Sequence, residues 1–217
     1  MIPVSTNLYQ NRIGRIVLLA MEEVIGHGDV IAILDHKYIE VDSKNDPLSS
    51  QIPVPSKENI ICLLGGLESF YGLQAGRGLG MRVGRACLLY GLKEFGAELG
   101  LSEQSYRLLP VQTKIKVGNE AFASFFNHFP NLHVMLEFDE KYIYWHLDPC
   151  PLCLIRQADD IAVNVKSSGP CCQVAVGFLQ EAMYWISGGK YYEVFEDECI
   201  ACGDSKCTIV INQIPFG

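Results

Sequence analysis

YYEVFEDECIACGDSKCTIVI, residues 191–211, is the stretch on which the reading of this chain turns. Tyr191 to Glu196 and Cys207 to Ile211 are rich in aromatic and β-branched residues and read as two strands around the turn Ala201–Lys206. Inside the stretch, Glu196, Cys199, Cys202, Gly203, Asp204 and Cys207 spell E-x-x-C-x-x-C-G-D-x-x-C. A carboxylate and several thiolates spaced over a strand end and a turn can converge on one ion, and Zn²⁺ bonds sulfur at about 2.3 Å.

Working outward, Cys171 to Ile186 has the period of a helix, with Val174, Phe178, Ala182 and Trp185 along one stripe. Before it, His133 to Phe138 and Lys141 to Leu147 read as strands joined by Asp139-Glu140. Alternation along the second of these puts Ile143, Trp145 and Leu147 on one face and Tyr142, Tyr144 and His146 on the other. Strand, strand, helix, strand, strand after a run of helices predicts an α+β fold, an antiparallel sheet of about four strands packed by several helices.

The preceding residues are helical in pattern. Asn11 to Ile25 carries Ile13, Ile16, Val17, Ala20, Met21 and Val24 on one face, and Gly26 and Gly28 end it. Val30 to Val41 reads as a short strand, and Asp42 to Asn59, with three prolines, as a surface loop. Residues 60–71 read as an apolar helix, GLQAGRGLG (72–80) as a glycine-rich joint, and Met81 to Leu99 as a second helix. The joint matches neither G-x-G-x-x-G nor G-x-x-x-x-G-K-[ST], so turns and close helix packing explain its glycines better than a phosphate loop. Asn119 to Phe129 is a further short helix, with Phe122, Phe125 and Phe126 on one side. The expected organisation is one domain over 1–217, helical to about 130 and sheet-forming with most of the cysteines from 131 on.

Composition bounds the function. With 49% hydrophobic and 19% charged residues, the chain is too apolar to be disordered. A net charge of −8 argues against a nucleic-acid partner, which needs a basic face to displace counterions. No stretch approaches the roughly 18 apolar residues of a membrane span, and MIPVSTNLYQ at the start lacks the marks of a signal peptide. The expectation is a soluble cytoplasmic protein. Of nine cysteines, Cys62 and Cys87 sit singly in apolar runs and read as small buried hydrophobes. The other seven, including Cys150-Pro-Leu-Cys153 and the adjacent Cys171-Cys172, crowd the last third. In a reducing compartment that crowding reads as metal binding, with redox thiols and plain buried cysteines as the alternatives.

GFLQEA (177–182) followed by the 191–211 segment resembles the 4-vinyl-reductase domain family, and RGLGMRVGRA (77–86) followed by LLYGLKEFGAELGL resembles its phototroph branch, linked to chlorophyll and bacteriochlorophyll synthesis. The resemblance spans residues 11–212. It implies a fold shared with the ligand domains of phenol-responsive activators and with TRAPP subunits, in which a pocket between helices and sheet holds a small hydrophobic molecule. It also implies a structural Zn²⁺ held by Cys172, Glu196, Cys199 and Cys207, with Cys150, Cys153 or Cys171 as substitutes. Trp145, Phe178 and Trp185 are the expected ligand contacts. Arg82 and Arg85 suit a propionate, or ion pairs with Glu94 or Glu98; His146 suits a tetrapyrrole metal or, more simply, a hydrogen bond.

The function expected is a binder of a small hydrophobic ligand, tetrapyrrole-related, serving as carrier, sensor or assembly factor in photosynthetic pigment metabolism. Two alternatives are a reductase component acting on a precursor vinyl group and a ligand-free dimeric scaffold. The chain has no dinucleotide fingerprint for the hydride chemistry of the first. A homodimer through residues 60–99 is expected from the apolar and small residues Gly65, Gly66, Leu67, Phe70 and Tyr71.

Overall fold

In the computed structural model, residues 6–36, 57–129, 132–153 and 169–216 are described. Among the described residues six helices come first: α1 (Thr6–Ile25), α2 (His27–His36), α3 (Lys57–Tyr71), α4 (Leu73–Phe95), the short α5 (Gln104–Arg107) and α6 (Val111–Phe126). The strands β1 (Val134–Phe138) and β2 (Tyr142–Leu147) follow, then α7 (Gln173–Ser187), β3 (Tyr192–Glu198), a 3₁₀ turn at Ile200–Cys202 and β4 (Cys207–Pro215). The four strands form one antiparallel sheet in the order β1-β2-β4-β3. The mixed helix and antiparallel-sheet architecture expected from residues 133–211 is the one observed.

Two elements differ from expectation. The segment from Val30 is helical, because α2 runs from His27 and buries Val30, Ile33 and Leu34. The run VIAIL is apolar enough for a strand or a helix, and packing on α1 and α3 selects the helix. The rest of that expected strand and most of the 42–59 loop lie outside the described residues. The second difference is the glycine-rich joint. Only Gly72 breaks the chain, at φ 83°, and 73–80 belong to α4.

The reason is that those glycines sit where backbones meet. A Cβ on Gly76 would lie 2.5 Å from the Glu68 Cα, one on Gly84 2.0 Å from the Val174 oxygen, and one on Gly177 2.0 Å from the Met81 oxygen. Gly84 and Gly177 thus face each other's helices, and at these two positions α4 and α7 meet backbone to backbone. The helix propensity lost at each glycine, about 1 kcal/mol, is offset by this close contact. At the other end of α7, Gly188 adopts φ 78° and Gly189 N–H donates to the Tyr184 oxygen at 2.8 Å, closing the helix.

Crossing at α4 and α7 divides the interior into two cores. One lies among α1 to α4 and includes Leu18, Met21, Ile33, Leu63 and Val83. The other lies between α6, α7 and the sheet and includes Ile115, Ile143, Trp145, Met183 and Ile211. Phe178 packs against both. At the surface Arg12 of α1 binds Glu94 at 2.6 Å and Glu98 at 3.0 Å, while Arg85 donates to Gln180 Oε1 at 2.6 Å. Gly66 and Leu67 turn inward, and Tyr71 hydrogen-bonds Asp29. The homodimer expectation is left resting on the exposed Phe70, Leu73 and Leu89.

Candidate ligand cavity and thiol cluster

Aromatic side chains from three elements converge where the two cores meet. Trp145 comes from the inward face of β2 and is fully buried. Phe122 and Phe126 come from one side of α6, and Phe178 from α7 sets its ring edge-on to both, at 5.4 Å between centroids in each case. These rings, with Ile16 and Val17 of α1, line an apolar cavity of about 270 Å³. Cys87 and Gly91 of α4 face it as well. Burial pushes the Cys87 thiol up to about 12, so it stays protonated and adds no charge to the wall.

Of the three residues expected to touch ligand, Trp145 and Phe178 line the cavity. Trp185 does not. It lies on the far side of α7, 37% exposed, stacked on Tyr106 at 6.4 Å. A helix stripe drawn through 174, 178, 182 and 185 is wider than the part of α7 that meets the cavity, and position 185 has rotated past it. His146 is on the opposite sheet face, hydrogen-bonded to Thr208 Oγ1 at 3.0 Å and near Glu137 at 3.3 Å.

Asn119 is a site residue with no signal in the sequence. It is buried, donates to the Ile115 oxygen at 2.8 Å and accepts the Trp145 indole N–H at 2.8 Å, so it sets the angle of the tryptophan in the cavity wall. Replacing it with Ala orphans that N–H. An unpaired buried donor costs about 1–3 kcal/mol, and a urea denaturation midpoint lowered to match, at unchanged slope, is the expected result.

A second constellation adjoins the cavity. Residues 151–153 are helical just after β2, Cys171 and Cys172 precede α7, and Cys199 and Cys207 flank the turn between β3 and β4. Cys153 Sγ lies 3.2 Å from Cys171, 3.4 Å from Cys172, 3.6 Å from Cys199 and 3.3 Å from Cys207. Cys150 Sγ lies 3.4 Å from Cys172. Two donor sets have all their atoms within 4.8 Å of one another: Cys150, Cys153, Cys172 and Cys207, and Cys153, Glu196, Cys199 and Cys207. The structure therefore groups Glu196, Cys199 and Cys207 as the sequence suggests, but with Cys153 as the fourth donor; Cys172 belongs to the neighbouring set. Cys202 is exposed and in neither set.

The cluster crowds acidic groups together, and hydrogen bonding among the thiols pushes Cys153, Cys171, Cys172 and Cys207 up. Burial, then the charge at Cys199, pushes the Glu196 carboxyl up to about 8. Its Oε2 accepts the Cys172 N–H at 2.7 Å, while its Oε1 is buried without a hydrogen-bond partner. Hydrogen bonds from neighbouring thiols, Cys153 foremost, hold Cys150 and Cys199 towards the thiolate. Asp204, prominent in the motif, points elsewhere and accepts the Cys199 N–H at 2.8 Å, bracing the turn.

No protein-family profile matches this chain, and no curated protein does. Solved structures do match. An H-NOX protein from S. oneidensis in the Fe(II) ligation state is 12% identical, with 93% of this chain and 97% of that one covered and a TM-score of 0.57. A structure concerned with haem redox potential under porphyrin distortion is 11% identical, with 96% and 97% covered and a TM-score of 0.55. The phenol-responsive sensory domain of the transcription activator PoxR, solved with phenol, is 15% identical, with 86% and 90% covered and a TM-score of 0.50. At such identities the likeness establishes the fold alone. No described helix is long and apolar enough to cross a membrane.

Proposed function

We propose that this protein binds a small apolar molecule as a sensor or carrier domain of the 4-vinyl-reductase type, with the thiol cluster as a structural metal site. The observation that carries the reading is the apolar cavity of about 270 Å³ between the two cores. An apolar cavity of roughly 150 Å³ admits one benzene ring, so this volume suits a ligand of one or two rings or a short branched hydrocarbon. Its walls come from α1, α3, α4, α6, α7 and the sheet, so an occupant touches most of the fold at once. Fold likeness to a phenol-responsive domain supports the same ligand class.

A tetrapyrrole of pigment metabolism is the second reading, favoured by the haem proteins among the structural neighbours. A haem iron takes an axial His, Cys, Met or Tyr. The described lining has no histidine; of its two cysteines, Cys87 is held as a neutral thiol and Cys150 belongs to the thiol cluster, 3.4 Å from Cys172. A four-pyrrole macrocycle would also have to enlarge the cavity. The described lining does not fit haem.

Fluorescence separates the readings. In a Trp185→Phe protein the remaining indole is Trp145 in the cavity wall, and naphthalene is expected to quench it saturably. Gly91 faces the cavity and a Cβ there meets nothing within 4 Å, so Gly91→Leu fills the space and should weaken naphthalene binding at least tenfold. Protoporphyrin binding with a shifted absorbance band, and no naphthalene binding, would replace the first reading with the second. Binding of neither leaves the scaffold.

A further inference from the structure

We propose that the thiol cluster holds two metal ions bridged by Cys153 and Cys207, rather than the single ion of a closed zinc site. The inference rests on the metal reading of the cluster. It comes from counting donors against what one ion can use. Cys150, Cys153, Cys172, Cys199 and Cys207 are each at most 1% exposed, and Glu196 is 8% exposed. A structural zinc ion takes four ligands. An ion in the first set would leave the Glu196 Oε1 buried and unpartnered. An ion in the second would leave Cys150 and Cys172 buried against each other at 3.4 Å with no metal.

Two ions resolve both deficits. The donor sets share Cys153 and Cys207 and no other residue, which is the topology of a pair of tetrahedra joined along an edge. Cys150 and Cys172 then terminate one ion, Cys199 and Glu196 the other, and the shared thiolates bridge. For metal–sulfur bonds of 2.3 Å a regular tetrahedron has sulfur–sulfur edges of about 3.8 Å. The observed separations within the first set, 3.3 Å for Cys153–Cys207, 3.4 Å for Cys150–Cys172 and 3.9 Å for Cys172–Cys207, are of that size. An iron–sulfur cubane would interpose inorganic sulfide and spread its four protein thiolates more widely, so the packing favours bare thiolate-bridged ions. Cys171, 3.7 Å from Cys199 and 3.2 Å from Cys153, is the reserve donor on the Glu196 side. Five thiolates and one carboxylate leave the pair of divalent ions closed to water, so the site ties the 150–153 segment, the start of α7 and the β3–β4 turn together.

The test uses the full chain purified under reductant, loaded with Zn²⁺ and desalted. Two zinc ions per chain are expected, and the Cd²⁺-loaded protein should give two cadmium NMR resonances coupled to each other through the shared sulfurs. In Cys150→Ser the count should fall from two to one. One ion and one resonance in the unaltered chain would overturn the two-ion site and keep the metal reading. No bound ion would overturn both. Iron with acid-labile sulfide and a visible band in the protein as purified would overturn the two-ion site in favour of a sulfide cluster.

Discussion

On the proposed metal reading of the thiol cluster, Cys207→Ser is expected to abolish metal binding and cooperative folding of the sheet half. Cys207 is the first residue of β4, the strand that pairs with both β2 and β3, and it belongs to both donor sets. Its Sγ also accepts the Ile200 N–H at 3.3 Å in the 3₁₀ turn. Metal binding to a preformed thiolate site is worth on the order of 10 kcal/mol or more of folding free energy. The whole stability of a domain is about 5–15 kcal/mol. Losing the shared ligand therefore removes an amount comparable with the total. Serine cannot replace it, because its hydroxyl stays protonated where the thiol gives up its proton to a metal. Cys202→Ser, one turn away and exposed, is the control and should melt and bind metal like the parent. The measurement pairs elemental analysis with calorimetry. Parent-like metal content and melting in Cys207→Ser would show that Cys207 ligates no ion and that the sheet half does not depend on its thiolate.

The next largest effect is expected at the α4–α7 crossing. Gly84→Ala puts a methyl 2.0 Å from the Val174 carbonyl oxygen and 2.8 Å from the Phe178 nitrogen. Both are backbone atoms of α7, so no rotamer change relieves the clash and the helices must separate. Alanine gains about 1 kcal/mol of helix propensity over glycine, while overpacking a close contact costs about 1–3 kcal/mol and more when backbone must move. The clash should win by about 2 kcal/mol, lowering the melting temperature by roughly 4–8 °C for a chain of this size. The effect should reach the ligand, because separating α4 from α7 displaces Phe178 and loosens the cavity. Gly78→Ala, in the same helix with nothing within 4 Å of its Cβ, should instead stabilise. A Gly84→Ala protein melting at or above the parent would mean that the two backbones do not meet.

What the sequence determined by itself is whatever short-range pattern encodes. The hairpin β1–β2, the helix α7 and the pairing of β3 with β4 follow from alternation, periodicity and turn residues within about 20 positions of one another. Glu196, Cys199 and Cys207 are legible as one group for the same reason, since a single hairpin carries all three. Where local pattern is degenerate, the tertiary structure decided. VIAIL in α2 suits helix or strand until neighbours bury it. GLQAGRGLG reads as a joint until α3 and α7 are seen pressed against its glycines, because a glycine that breaks a helix and one that lets a helix approach have the same letter. The donors Cys150, Cys153 and Cys172 lie 35 to 57 residues before Cys207, and only the packing of α7 on the sheet brings their sulfurs into contact with the hairpin. Which face of α7 meets the cavity, keeping Phe178 in and turning Trp185 out, depends on the crossing with α4. Long-range placement of this kind is set by the free energy of close packing over the whole interior, and no window of sequence contains it.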